Sequence, residues 1–99
     1  MYLKRIKKIK KRDGRIVDFN PDRITNAIRK AIKAVKFKDG RLAEKLSSQV
    51  VEIVNRRFAG RIPSVEDVQD IVEEVLVKNG YFEVAKAYIL YRQKRSELR

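Results

Sequence analysis

The chain has 99 residues, with 25 Lys and Arg against 13 Asp and Glu, a formal net charge of +12. It contains no cysteine and no histidine, which excludes disulfides, thiolate nucleophiles, zinc ribbons, histidine general bases and thiolate-ligated iron–sulfur clusters. A chain of this length with 43% hydrophobic residues suits one domain, spanning 1–99, built on one core.

Residues 5–19 read as a β-hairpin, because Asp13-Gly14 is a strong turn signal and Gly supplies positive φ without steric cost. A three-residue loop, Asp13-Gly14-Arg15, puts Ile9, Val17 and Phe19 on one face and leaves Ile16 on the polar face. That register sets Lys10 opposite Asp18, an attractive cross-strand pair.

A first helix is expected over about 21–37. Asn20 is a good N-cap, and Pro21 at the first helical position loses no needed N–H. Its stripe is Ile24, Ala27, Ile28, Ala31, Ile32 and Val35 at i, i+3, i+4 spacing. Arg23, Asn26, Arg29, Lys30 and Lys33 lie largely off it.

A second helix over about 40–58 buries Leu42, Leu46, Val50, Ile53 and Val54. A third, about 64–79, opens with Ser64-Val65-Glu66-Asp67, a capping-box arrangement. Its stripe is Val68, Ile71, Val72, Val75 and Leu76, and Asn79-Gly80 ends it. A fourth, about 81–97, turns Ala85, Tyr88, Ile89 and Arg92 inward. No C-cap follows Gln93 to Arg99, so a segment of a longer protein is expected.

No apolar run approaches the ~20 residues that span a bilayer. No continuous apolar stretch follows the basic start Met1-Tyr2-Leu3-Lys4-Arg5, so it does not read as a signal peptide. A soluble, cytoplasmic chain with no membrane partner is expected.

Catalytic signatures are missing. There is no Walker-type phosphate loop and no Rossmann glycine fingerprint. Ser47 and Ser48 have no nearby candidate base. Glu66-Asp67 and Glu73-Glu74 are adjacent carboxylates with the chemistry to hold magnesium or do acid–base work, but a solvated helix face and a dipole-complementing first turn account for them.

What remains is basic. Lys7, Lys8, Lys10, Lys11 and Arg12 crowd the first strand, Arg15 lies in the turn, and Asn20 and Arg23 begin the first helix. Lys and Arg neutralise phosphates through charge-assisted hydrogen bonds, and a helix N-terminus adds N–H donors and a favourable dipole. If the hairpin folds over that terminus, these groups converge into a triphosphate site without a glycine loop. The alternative from pattern alone is a solvated basic strand with no ligand.

Lys11-Arg12-Asp13-Gly14, then Phe19-Asn20 with Arg23-Ile24, resemble the opening of the ATP-cone domain. Ser64-Val65-Glu66-Asp67-Val68-Gln69-Asp70 with Val72-Glu73 resembles its third helix, and Ala85-Lys86-Ala87-Tyr88-Ile89-Leu90-Tyr91-Arg92 its last. The match covers roughly residues 9–95, in order and with correct spacing. The resemblance implies an α+β, mostly α fold: an N-terminal β-hairpin lid over a four-helix bundle. It implies a site for ATP or dATP, carried with magnesium, between lid and bundle. Such domains occur at the N-terminus of many ribonucleotide reductases, where ATP supports activity and dATP typically suppresses it by changing subunit association. They also occur in the transcriptional repressor of reductase genes, behind a zinc ribbon.

By the same resemblance, Lys10, Lys11, Arg12 and Arg23 belong to the nucleotide site, with Lys11, Arg12 and Arg23 on the phosphates. Asn20 falls near the base or ribose. Ile9, Val17, Phe19, Ile24 and Val65 would wall the base, plain core packing being the alternative. Gln69 lies one turn along the third helix and faces the nucleotide, and Lys94, or second to it Arg92, supplies a phosphate contact from the fourth. Tyr88 and Tyr91 can stack on a base or pack in the bundle. Three departures stand out: Asn20 replaces the more usual Asp, Val17 occupies a position polar in some members, and Lys4, Arg5, Lys7 and Lys8 fall outside the motif.

The leading expectation is a non-catalytic regulatory domain. It would couple ATP or dATP occupancy to the activity or oligomeric state of a parent ribonucleotide reductase. Reduction within this chain is excluded, since that chemistry as known in the family needs cysteine thiols. Two other partner classes stay open: nucleic acid, as in a transcriptional regulator of the ATP-cone type, and a second copy of the chain in a homo-oligomer. Duplex binding would show steep salt dependence, and pure self-association would ignore nucleotide.

Overall fold

A computed structural model describes residues 5–38 and 40–97. Lys4 of the basic start, Asp39 and the last two residues of the expected tail, Leu98 and Arg99, lie outside the described residues. Strands β1 (Lys8–Lys10) and β2 (Ile16–Asp18) are followed by helices α1 (Pro21–Ala34), α2 (Leu42–Arg57), α3 (Val65–Lys78) and α4 (Phe82–Glu97). The architecture is thus α+β and mostly α, as the pattern implied.

The strands are antiparallel, with Lys8 opposite Asp18, Ile9 opposite Val17 and Lys10 opposite Ile16. The faces are as expected: Ile9 and Val17 share the inner one and Ile16 is 54% exposed. The register is not. Lys8, not Lys10, faces Asp18, with Nζ 2.6 Å from Oδ1. The reason is the turn. Gly14 has φ +92°, and a three-residue hairpin loop wants that conformation at its last position. The loop is therefore Arg12-Asp13-Gly14, closed by Gly14 N–H donating to the Lys11 carbonyl (2.9 Å) and Lys11 N–H to the Arg15 carbonyl (2.8 Å). Asp13 braces it, accepting from the Arg15 amide at 3.0 Å and from Arg15 Nε at 2.8 Å.

Caps delimit the helices. Asn20 Oδ1 accepts from the Asp22 amide at 3.0 Å and starts α1. Ser64 and Asp67 exchange side-chain-to-backbone bonds of 3.0 and 2.9 Å in a full capping box at α3. Helix α1 stops at Ala34, short of the expected 37, because Lys36 takes φ +57°. Its N–H bonds the Lys33 carbonyl and that of Phe37 the Ile32 carbonyl. This is the left-handed C-terminal motif usually marked by Gly, here without a Gly to announce it.

Each helix packs on the next, and α4 closes back on α1. The core is Ile24, Ile28, Ala31 and Ile32 of α1; Ala43, Leu46, Val50 and Val54 of α2; Val68, Ile71, Val72, Val75 and Leu76 of α3; and Val84, Ala85 and Tyr88 of α4. The α3 stripe is the expected one. On α2, Leu42 and Ile53 are only half-buried, while Ala43 and Ser47 are buried. The Thr25 hydroxyl donates to Ser47 Oγ at 2.7 Å, so Ser47 is a satisfied α1–α2 contact. On α4, Ile89 is 44% exposed, contrary to expectation, and Val84 takes an inner place.

The hairpin is fastened to α2 and to the segment that leads into α3. The Ile6 amide donates to Asn55 Oδ1 of α2 at 2.8 Å. The Lys10 amide donates to the Pro63 carbonyl at 2.9 Å, and Lys10 forms a parallel bridge with Ser64. The turn end of the hairpin thereby lies beside the N-terminus of α3, while the Lys7–Lys8 end leads into α1. Among the described residues no helix is long and apolar enough to cross a membrane.

Candidate functional site

The hairpin, α1, α3 and α4 enclose a cavity of about 690 Å³, inside the ~300–1,000 Å³ range of small-molecule sites. Helical spacing selects what lines it. On α3 the wall is Val65, Val68, Gln69 and Val72, at i, i+3, i+4 and i+7. On α4 it is Tyr88, Tyr91 and Arg95; on α1 it is Asn20, Arg23, Ile24, Asn26, Ala27 and Lys30. The hairpin contributes Ile9, Lys11, Arg12, Val17, Asp18 and Phe19.

The structure brings together ten of the residues singled out by the sequence: Ile9, Lys11, Arg12, Val17, Phe19, Asn20, Arg23, Ile24, Val65 and Gln69. Two do not line the cavity. Lys10 alternates with Ile9 along β1, so its side chain leaves on the opposite face. Lys94 is exposed, and its neighbour Arg95 lines the cavity instead. Successive helical residues point about 100° apart, so a one-residue shift decides which is inside. The alternative, Arg92, serves the bundle: its Nη1 lies 2.8 Å from Asp70 Oδ1 and 2.6 Å from Glu73 Oε2 on α3. Burial opposes its charge, but the hydrogen bonds it donates to Glu73 and Asp70 win, so its pKa is raised.

Pattern reading left Lys30 outside the site. The signal was available: Lys30 follows Arg23 by seven residues, two turns along the same face. Its Nζ lies 5.7 Å from the Tyr91 ring centre, and Arg95 Cζ lies 5.9 Å from the same ring. Both are cation–π distances. Tyr91 thus holds two cations at the α1–α4 side of the cavity. Tyr88 is both core and cavity floor, and burial pushes its phenol pKa up, keeping it neutral.

Among the described residues five cationic side chains therefore line one cavity: Lys11, Arg12, Arg23, Lys30 and Arg95. Among the described residues its one carboxylate, Asp18, is bound to Lys8, and hydrogen bonding from Lys8 holds it below its ordinary pKa. Arg12 Nε lies 2.7 Å from Glu66 Oε2. Interleaved with the cations are Ile9, Val17, Phe19, Ile24, Val65, Val68 and Val72. Such a surface suits a ligand with an apolar planar part and a polyanionic part.

The carboxylates considered for magnesium are otherwise engaged. Glu66 pairs with Arg12, Asp67 closes the α3 cap, Glu73 pairs with Arg92, and Glu74 pairs with Arg57. Among the described residues no group of three His, Cys, Asp or Glu side chains could hold a metal. The donor set does not fit a protein-held magnesium. A second depression, of about 560 Å³, opens at the start of α2 along Arg41, Leu42, Glu44, Lys45 and Ser48, and has no comparable convergence of cations and apolar wall.

Comparison with known proteins agrees with this geometry. Residues 7–97 match the family described as ATP cone domain. The chain is 42% identical over 99 residues to a vitamin B12-dependent ribonucleoside-diphosphate reductase of Thermoplasma acidophilum, covering 95% of this chain and 12% of the relative. It is 38% identical over 92 residues to the enzyme of that name from Mycobacterium tuberculosis, covering 93% and 13%. It is 40% identical over 85 residues to an anaerobic ribonucleoside-triphosphate reductase of Haemophilus influenzae, covering 86% and 12%. The chain thus spans about an eighth of the length of these relatives. With the hairpin, the four helices and the family match over nearly its whole length, the chain belongs to the ATP-cone domain family.

Proposed function

We propose that this chain binds a purine nucleoside triphosphate, ATP or dATP, in the cavity under the hairpin. We further propose that it couples that occupancy to the activity or assembly of a longer ribonucleotide reductase, without performing chemistry itself. The observation that carries the reading is the convergence of Lys11, Arg12, Arg23, Lys30 and Arg95 on one cavity with an apolar wall. A triphosphate brings several negative charges and a base brings a flat apolar face, and the two halves of the lining complement them. Lys11, Arg12 and Arg23 approach from the hairpin and the start of α1, Lys30 and Arg95 from the α1–α4 side. Ile9, Val17, Phe19, Ile24 and Val65 wall the base. Asn20 uses Oδ1 for the helix cap, which leaves its amide N–H₂ to donate to a ribose hydroxyl. Magnesium would arrive on the phosphates and keep water as its other ligands.

The hairpin and four helices act as one unit on this reading, because one core joins all four helices and the cavity borrows from the hairpin and three of them. Regulation follows as linkage. A nucleotide moves an equilibrium between conformations or assemblies only by its differential affinity for them. The relatives' names make a reductase the natural recipient of that coupling.

The test is calorimetric titration of the chain with ATP, dATP, AMP and a short DNA duplex at two salt concentrations. Saturable ATP or dATP binding with weak AMP binding supports the nucleotide site. Tight duplex binding with a steep salt slope, and no saturable nucleotide, would instead assign the exposed Lys7, Lys8 and Lys10 to nucleic acid.

A further inference from the structure

The end of the bundle away from the hairpin carries a second concentration of positive charge, set among aromatic rings. The hairpin is bonded to Asn55, near the close of α2, and to Pro63 and Ser64, just before α3. The α1–α2 and α3–α4 connections therefore lie at the other end, about 20 Å away along the 14 residues of α1. The two connections adjoin there. Asn79 Nδ2 donates to Gln49 Oε1 of α2 at 2.9 Å, and the Phe37 and Tyr81 rings meet edge to face with centroids 6.0 Å apart. Phe37 is 50% and Phe82 64% exposed.

Around these rings stand Lys33, Lys36 and Lys38 at the close of α1, Arg41 and Lys45 at the start of α2, and Lys78 at the close of α3, all exposed. Their segments hold three acids, Asp39, Glu44 and Glu83, so the cations outnumber them. Among the described residues none of these six cations is in an ion pair, whereas Arg57 and Arg92 each hold a carboxylate of α3. None of the six lines the cavity under the hairpin.

Lys36 adds an independent sign. Its φ of +57° is a conformation that favours Gly, and Gly is the usual residue at this point of a helix C-terminus. A lysine is kept there against the preference of the backbone, with its side chain exposed and unpaired among the described residues. Strain of this kind collects at binding sites. The charge, not the fold, accounts for the residue.

The chemistry selects the partner. Lysine ammoniums are hydrated point charges that suit phosphates, and lysine is depleted at the cores of protein–protein interfaces. Exposed ring faces stack on unpaired bases, which a duplex does not offer. A bilayer takes up a continuous apolar face, and here the rings are interleaved with cations. We propose that this end of the bundle binds single-stranded nucleic acid, with the backbone on the Lys and Arg side chains and bases stacked on Phe37 and Phe82. The site is separate from the nucleotide cavity and stands whether or not that cavity is filled.

The experiment is fluorescence anisotropy of a short labelled oligothymidylate, which neither pairs with itself nor offers an adenine to the cavity. A DNA duplex and sedimentation with phosphatidylserine vesicles run beside it. Circular dichroism confirms that each variant is helical. The wild type should bind the single strand about tenfold more tightly than the duplex. Phe37→Ala and Phe82→Ala should each weaken single-strand binding by about tenfold, the loss of one stacked base, and leave duplex binding unchanged. Lys36→Gly should weaken it a few-fold and lower the slope of log affinity against log salt by about 0.7. The same variant should raise Tm by roughly 4–8 °C as the strain is released, a split that a merely structural lysine would not show. Lys7→Gln with Lys8→Gln, on the hairpin, should leave single-strand affinity within about twofold. No binding of oligothymidylate, equal affinity for single strand and duplex, or Phe variants that bind as the wild type does would each overturn the proposal. Loss confined to the hairpin variant would move the nucleic acid to β1 and overturn it too. Vesicle binding that depends on Phe37 and Phe82, without oligothymidylate binding, would make the patch a membrane contact instead.

Discussion

Arg12 of the hairpin loop and Glu66 of the first turn of α3 form an ion pair of 2.7 Å beside the cavity that Arg12 lines. The pair fastens the hairpin to the bundle, and it places a carboxylate in competition with any phosphate for the Arg12 guanidinium. Both side chains are partly exposed, so the pair is worth at most about 1 kcal/mol. Glu66→Gln should therefore tighten ATP binding by up to about fivefold. Titration calorimetry of the variant checks this, and weaker binding would mean that Glu66 positions Arg12 rather than competing for it.

Removing two of the cations that approach from the hairpin side should have a larger effect. Hydrogen bonds to charged groups contribute about 1.5–3 kcal/mol each, so Lys11→Ala with Arg23→Ala should weaken ATP binding by roughly a hundredfold or more. Neither side chain belongs to the core, so the far-ultraviolet circular dichroism should match the wild type. Unchanged affinity in the folded double variant would dismiss the site as drawn.

Arg92 should behave in the opposite way. It bridges α4 to Asp70 and Glu73 of α3, with its own side chain only 21% exposed. Truncation leaves both carboxylates without it. Arg92→Ala should cost about 1–2 kcal/mol after allowance for solvent at Asp70, a fall in Tm of roughly 4–16 °C for a domain this size. ATP affinity, measured well below that Tm, should change little. A large affinity loss with an unchanged Tm would put Arg92 on the ligand.

The Arg57–Glu74 pair gives a pH signature. Arg57 donates to both Glu74 oxygens, at 3.1 and 2.6 Å. Hydrogen bonding from Arg57 holds the Glu74 carboxyl below its ordinary value of 4.5. A depressed folded pKa contributes stability that is fully present above the unfolded value and lost as pH falls through the folded one. Glu74→Gln should therefore lower Tm slightly at pH 7, with the difference shrinking as pH falls through the lowered folded pKa and the wild-type carboxyl is itself protonated. Thermal melts of both proteins across pH 2–7 check this. A Tm difference that persists in acid would assign the loss to packing rather than charge.

Much of the fold was legible because its signals are local. Pro21 after Asn20, and Ser64 with Asp67, mark helix starts through bonds made within three residues. The α3 stripe repeats with helical period, and those residues are the buried ones. Where the local signal was missing or ambiguous, the reading failed. Lys36 in a left-handed conformation ends α1 where a Gly would have announced it. The hairpin register shifted because Gly14 had to be the last loop residue, not the middle one.

The sequence by itself determined the order of elements, the inner face of the hairpin, the caps and the strongly basic character, since each depends on spacing along one chain segment. The tertiary structure alone decided which cations converge. Lys30 and Arg95 line the cavity, Lys10 and Lys94 do not, and Arg92 is claimed by Asp70 and Glu73. The physical reason is that helical period sets which side chains share a face, not how that face is rotated toward its neighbours. On α4, apolar residues occur on every side, Val84 and Tyr88 buried and Phe82, Ile89 and Leu90 exposed. No stripe orients that helix, so only packing against α1 and α3 could turn Arg95 inward.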